Sequence, residues 1–249
     1  MIWIFVISFG VILLYLAYPL WLKIVLPKTN LNIMLDDEAK GVSLILLSFN
    51  GVQYLKEKIP FLISEMSDIL QSEIIIIDDC SSDGTQEYLK RYVINDKIRI
   101  ILKEQQKGIS HTMNLGIEES RFSKIIFCDQ RQIIEKGVIK NLVKSLNQNN
   151  IGAVSSCISS EIGDISCSLL RRHENMLKRL EGQNGNLIGV YGPLYAINKI
   201  LYSPLPENII LDDLYLSLKV LKSHDICFLR QCRIIDEKLE NHYNYKRTK

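Results

Sequence analysis

The sequence predicts an α/β domain, a mainly parallel sheet flanked by helices, behind an N-terminal transmembrane helix. Three observations predict it. Short β-branched runs alternate with amphipathic stretches from Val42 to Cys128, the spacing of βαβ units. One run, Ile74-Ile-Ile-Ile77, is unbroken, as expected of a strand buried on both faces. Finally, Met1 to Leu22 contains no charged residue. At about 1.5 Å per residue it is long enough to cross a bilayer core of roughly 30 Å.

Residues 1–25 read as an uncleaved anchor. Trp3, Tyr15, Tyr18 and Trp21 supply rings for the membrane interfaces. A cleaved leader needs a basic start, a shorter apolar run and a small-x-small site, and none of these is present. Lys23 and Lys28 follow the span and no charge precedes it, so the positive-inside rule places the domain in the cytoplasm. Residues 26–40 form a juxtamembrane linker with an acidic patch at Asp36-Asp37-Glu38. The soluble domain takes residues 41–237, and residues 238–249 are a basic tail suited to anionic lipid.

Within the domain, Val42–Ser48 is the first strand, ending at Phe49-Asn50-Gly51. Tyr54 to Leu70 is helical, with Leu55, Ile59, Leu62, Ile63, Met66 and Ile69 on one face and Pro60 kinking or splitting it. The isoleucine strand runs into Asp78 and Asp79. Cys80 to Gly84 is turn chemistry, with Ser82 or Asp83 capping a helix that starts at Thr85. Lys97–Leu102 is strand three, Ser110–Ser120 a helix, and Lys124–Cys128 strand four. Beyond these come a helix over Lys136–Leu146, a strand over Ile151–Ser159 and a charge-dense helix over Leu169–Glu181. Those charges, Arg171 to Glu181, read as a solvated face or, alternatively, in part as the lining of a groove for a second substrate. His173 is the residue to watch there, although a lone His is more often structural. Gly182–Gly189 reads as a flexible loop, and Arg233–Asp236 as a last strand.

Composition narrows the function. A net charge of +2, with no helix that concentrates lysine and arginine, argues against nucleic acid as a partner. The six cysteines form no C-x-x-C pair and most fall in apolar runs, so they read as reduced core thiols. In open α/β sheets, ligands bind at the carboxyl ends of the strands. That is where Ser48, Asp79 and Asp129 are expected. A capped turn with a solvated Asp pair is the plain alternative for Asp78-Asp79.

The order of these features resembles the family 2 glycosyltransferases. The motifs are a strand ending in Ser48-Phe-Asn50, then Asp78-Asp-Cys-Ser-Ser-Asp-Gly-Thr85, then Gly108-Ile-Ser-His-Thr-Met-Asn-Leu-Gly116, then Asp129. Gly189 to Ile197 resembles the family's strand near the acceptor, and Leu211-Asp-Asp-Leu214 its catalytic acidic pair. The resemblance implies a GT-A fold, a Rossmann-like nucleotide-sugar-binding domain, and inverting transfer of a sugar from a nucleotide donor. Asp79 is suited to accept the imide N–H of uracil, with Ser48 beside it in the same crevice. Asp129 reaches the ribose or diphosphate, and Gly108 lets backbone approach the nucleotide. Ordinary turn and helix chemistry is the alternative for Gly108 and Asn114. By resemblance Asp213 is the general base and Asp212 orients it or the acceptor; the plain alternative is a helix N-terminus complementing its dipole.

The resemblance also implies a divalent metal, Mg²⁺ or Mn²⁺, held at Asp129 by an Asp-x-Asp motif. Here the triplet is Asp129-Gln130-Arg131, with a cation where the second acid should be. Either Arg131 turns away and Asp129 holds a metal with a residue from elsewhere, or Arg131 forks onto the diphosphate, or the site binds no donor productively. The expected partners are a nucleotide-sugar donor, UDP-linked by resemblance, a glycan or lipid-linked acceptor, the membrane and other membrane glycosyltransferase subunits. A weakened nucleotide-sugar-binding subunit is the second reading. A nucleotidyltransferase ranks last, because Asn50-Gly-Val-Gln53 lacks the Gly-rich, lysine-bearing loop that class carries after strand one.

Overall fold

A computed structural model describes residues 17–25, 41–92, 97–160 and 165–236, with the side chains of 160–168 left aside. Residues 17–25 are helical (α1). There follow β1 (Val42–Ser48), α2 (Val52–Ser67), β2 (Ser72–Asp78), α3 (Thr85–Lys90), β3 (Ile98–Leu102), α4 (Gly108–Glu119) and β4 (Lys124–Asp129). The second half comprises β5 (Ile133–Ile134), α5 (Val138–Leu146), β6 (Ile151–Ser160), α6 (Ile165–Gly182), β7 (Leu194–Asn198), a 3₁₀ turn at Lys199–Leu201, α7 (Asp212–Val220) and β8 (Asp225–Asp236).

One sheet holds all eight strands in the order β3-β2-β1-β4-β7-β6-β8-β5. The half built from β1 to β4 is parallel throughout. Its strands are apolar on both faces, and Ile75, Ile76 and Ile77 are fully buried between helices. Register aligns their carboxyl ends, with Ser48 opposite Asp78 and Leu47 opposite Asp129. Helix α4 lies close over this half. A Cβ on Gly116 would come 2.7 Å from Ile45 and 3.2 Å from Ile77, so a side chain there would lift the helix off the sheet.

The other half departs from the expected parallel plan. β7 runs antiparallel to both β4 and β6, and β5 antiparallel to β8, so the sheet is mixed. That reversal sets Tyr195 opposite Phe127, their rings 5.2 Å apart, and carries Gly192 and Pro193 toward the tip of β4. Here Asp129 N–H donates to the Pro193 carbonyl at 2.8 Å.

Several local expectations change. α2 continues through Pro60 as one helix rather than two. β8 starts at Asp225, eight residues before the expected Arg233, because Arg230, Gln231 and Arg233 interrupt its apolar run. Gly182–Gly189 is not a loose loop: Leu187 is wholly buried, and Asn186 N–H donates to the Glu181 carbonyl at 3.1 Å. Cys128, Cys157, Cys227 and Cys232 are buried free thiols and Cys80 is a half-buried one. Burial pushes Cys227 and Cys232 up to about 12, as expected of inert core thiols.

Among the described residues no helix is long and apolar enough to cross a membrane. The expected anchor falls mostly on residues 1–16, which lie outside the described residues, as do the linker and the tail. What is described of it, α1, buries Leu22, exposes Leu20, Trp21, Ile24 and Val25, and touches α6 through Tyr18 Oη donating to Glu181 Oε1 at 3.1 Å.

Candidate active site

A cleft of about 990 Å³ opens at the carboxyl ends of β1, β2 and β4. All seven residues that the sequence singles out line it: Ser48, Asp79, Gly108, Asp129, Arg131, Asp212 and Asp213.

At the first end, the two aspartates after the isoleucine run part company. Asp78 is fully buried and serves the turn: its carboxylate accepts from Ser81 N–H at 2.9 Å, from the Ser81 hydroxyl and from Gln86 Nε2 at 3.1 Å. Asp79 turns into the cleft. Its Oδ1 accepts from the Lys103 ammonium and from Lys107 N–H at 3.0 Å, and its Oδ2 from Gly108 N–H at 2.8 Å. A carboxylate offers about four lone-pair directions, so one on Oδ2 remains for a ligand donor. Gly108 takes φ +81°, a left-handed turn that brings its N–H back onto Asp79. The Ser48 hydroxyl lies beside them, buried and with no hydrogen-bond partner among the described residues. The expected capping is partly different: Gly84 occupies the cap of α3, while Asp83 Oδ1 accepts from Thr85 N–H at 3.1 Å and from its hydroxyl at 2.6 Å. Asn114 has a structural task, accepting from Tyr202 Oη at 2.7 Å and Leu205 N–H at 2.9 Å.

The middle of the cleft is the Asp129-Gln130-Arg131 triplet. Gln130 is buried and clamps Phe49, donating to its carbonyl at 2.8 Å and accepting its N–H at 3.3 Å. This joins the tips of β1 and β4. An Arg131 guanidinium nitrogen stands 3.1 Å from Asp129 Oδ2, and Arg131 N–H donates to Oδ1 at 3.4 Å. The triplet does not suit a divalent cation. Guanidinium is always protonated and offers no lone pair, and it pairs with the Asp129 carboxylate that the metal would need. Among the described residues no group of three or more His, Cys, Asp or Glu could hold a metal.

The far end is the start of α7. Asp213 Oδ1 accepts from Leu214 N–H at 2.8 Å, and its backbone carbonyl accepts the Ser217 hydroxyl at 2.7 Å. Burial holds Asp212 above the usual carboxylate range, and the negative Asp213 raises it further. Two residues that the sequence pattern does not single out lie toward this end, Tyr195 in the cleft lining and Lys178 outside it. Tyr195 is 1% exposed, lines the cleft, and its hydroxyl has no hydrogen-bond partner among the described residues. Burial, then the charge of Asp212, pushes its pKa far up, so the hydroxyl is a permanent donor. Lys178 abandons the solvated face expected of α6. Its ammonium sits 4.6 Å from the centre of the Tyr191 ring and donates to the Gly189 carbonyl, and burial lowers its pKa. Tyr195 falls in an apolar strand and Lys178 in a charged run, so neither stands out by pattern. His173 does not line the cleft.

A mixed sheet thus carries acids along one cleft at its strand ends. Residues 43–199 match the model of Glycosyl transferase family 2, and the chain belongs to that family. Asp212 and Asp213 lie just beyond the matched residues. The chain is 29% identical over 89 residues to TuaG of Bacillus subtilis, named for teichuronic acid biosynthesis, covering 35% of this chain and 34% of TuaG. It is 24% identical over 119 residues to the poly-beta-1,6-N-acetyl-D-glucosamine synthase of Staphylococcus epidermidis, covering 47% of this chain and 28% of the synthase. The chain thus spans about a third of the length of these relatives. In fold it is similar to a mannosyltransferase of Pyrobaculum calidifontis solved with GDP-mannose and Mn²⁺, with a TM-score of 0.76 at 17% identity, over 92% of this chain and 66% of that one. These likenesses identify the architecture as GT-A-like and the domain as that of an enzyme.

Proposed function

We propose that this protein moves a sugar from a nucleotide sugar, UDP-linked, to a hydroxyl of a glycan or lipid-linked acceptor at the cytoplasmic face of a membrane. The observation that carries the reading is that one cleft is lined by Asp79 at the end of β2, Asp129 at the end of β4 and Asp213 beside Gly192, just ahead of β7. The base of the donor docks at Asp79 and Ser48, where one lone pair and one unpartnered hydroxyl remain. The diphosphate crosses the Asp129–Arg131 pair, which points the anomeric carbon toward α7.

Asp213 then takes the proton from the acceptor hydroxyl as its oxygen attacks that carbon. The new C–O bond forms on the face opposite the leaving group, the bond to the diphosphate breaks, and the electron pair leaves with the diphosphate. A single displacement of this kind inverts the anomeric centre. Most of the rate gain is then positioning and electrostatic stabilisation of the leaving group.

Apolar residues at the cleft mouth support an acceptor with a lipid portion: Ile109, Leu211 and Ile210 are exposed, the last by 85%. The uncharged Met1–Leu22 and the apolar face of α1 support a membrane setting, and Lys23 and Lys28 a cytoplasmic one. The names of the relatives favour a surface polysaccharide as product.

The test is a screen of UDP- and GDP-sugars for binding, hydrolysis and transfer by the full chain in detergent. Binding with transfer or slow donor hydrolysis is expected. Binding with neither, even after membrane partners are added, would favour the subunit reading, and no binding at all would end both.

A further inference from the structure

We infer that Arg131 stands in for a divalent cation, so that this protein holds the diphosphate of its donor directly and without metal. The inference rests on reading the cleft as a nucleotide-sugar site. Its ground is a count of charge. Among the described residues the cleft is lined by four carboxylates, Asp79, Asp129, Asp212 and Asp213, and by one basic side chain, Arg131. Asp79 is balanced from behind by Lys103, whose ammonium is buried with it. The remaining acids face the path of a ligand that itself carries negative charge on its two phosphates. A dianionic group enters such a cleft only where a cation meets it.

Arg131 is that cation. It lines the cleft beside Asp129, with its side chain 52% exposed. A guanidinium carries five N–H donors in a planar fork, so one nitrogen can hold Asp129 while others reach two phosphate oxygens. The pairing with Asp129 fixes the fork's place before the ligand arrives. A metal at the same point would lie against a fixed positive charge, with the Asp129 carboxylate already paired.

The experiment measures binding of UDP, GDP and uridine to the full chain by calorimetry, with Mn²⁺ and then with EDTA. The cognate diphosphate should bind equally in both. Arg131→Ala should weaken it about ten- to hundredfold, the scale of a lost charge-assisted hydrogen bond, and should leave uridine, which has no phosphate, unchanged. Arg131→Lys, a charge without the fork, should recover part of the loss. Arg131→Asp should bind only when Mn²⁺ is present. The melting temperatures of the variants, measured alongside, separate a lost contact from a lost fold. Binding that needs Mn²⁺ in the native protein, or an Arg131→Ala variant that binds the diphosphate as the parent does, would overturn the inference. Absence of nucleotide binding in either buffer would instead remove the donor-site reading, and the inference with it.

Discussion

The two Asp-Asp pairs of this molecule have different hydrogen-bonding surroundings. At the end of β2 the carboxylates are engaged: Asp78 holds Ser81 and Gln86, and Asp79 holds Lys103, Lys107 and Gly108. At the start of α7 they face the cleft, Asp213 beside Gly192 and Asp212 half-buried with a raised pKa. A carboxylate embedded in donors is a poor base, because every hydrogen bond it accepts stabilises the charged form. One facing a cleft can take a proton. The first pair therefore suits recognition and shape, and the second suits chemistry.

The largest effect that tests this contrast is on turnover. Asp213→Asn should lower transfer by about two to four orders of magnitude, the scale for loss of a general base, while nucleotide affinity stays as in the parent. Normal transfer by the variant would reduce Asp213 to a helix-start residue.

The first pair should respond in binding and stability instead. Asp79→Asn should cost roughly 1.5–3 kcal/mol of nucleotide affinity. It should also lower Tm, because the Lys103 ammonium, 7% exposed, loses its counter-charge. Adding Lys103→Met should restore Tm but not affinity. Asp78→Asn, by contrast, should lower Tm and leave affinity alone. A folded Asp78→Asn protein that no longer binds nucleotide would erase the division within this pair.

How much of this was legible in the sequence follows from which interactions are local. The parallel half could be read because unbroken apolar runs and turn residues are local signals, and Ser48, Asp79 and Asp129 follow from strand ends alone. The antiparallel half could not. β5 is two residues long and pairs with a strand a hundred positions later, and the direction of β7 depends on a crossover that no local pattern encodes. The same limit hid Tyr195. Its apolar neighbours mark it as core, and the one fact that matters, a hydroxyl with no partner among the described residues, exists only once the chain is folded. Asp78 and Asp79 are adjacent and identical in type, so only Gln86 and Lys103 reveal which of them faces the ligand.

Tyr195 gives a smaller, sharper test at the acceptor end. Tyr195→Phe keeps the ring against Phe127 and removes a buried hydroxyl that lacks a partner, so the fold should be as stable or slightly more so. If that hydroxyl donates to the reacting sugar or acceptor, kcat should fall about tenfold, the worth of one hydrogen bond in the transition state. Nucleotide affinity should not change. An unaltered kcat would leave Tyr195 as packing and nothing more.

The smallest expected effect concerns Asp212, and it tests what burial does to the second pair. Its pKa is held up first by burial and then by the Asp213 charge, so the folded protein keeps a proton that the unfolded chain releases near pH ~3.9. Below that value Asp212 is neutral in both states and contributes no pH dependence. As pH rises through the window between the unfolded and the raised folded pKa, the unfolded state binds fewer protons, so stability falls; above the window the full penalty persists. Asp212→Asn removes the titration. The Tm difference between variant and parent should therefore be near its minimum in acid, grow in the variant's favour as pH rises through that window, and stay level at neutral pH. The opposing force is the dipole of α7, which favours a negative charge in its first turn. If the variant is instead less stable than the parent at neutral pH, the dipole outweighs burial, and the two acids of the second pair are held in more similar surroundings than their geometry implies. If the advantage grows as described, Asp212 is kept charged at a cost to the fold, which is expected of a group retained for chemistry rather than for stability.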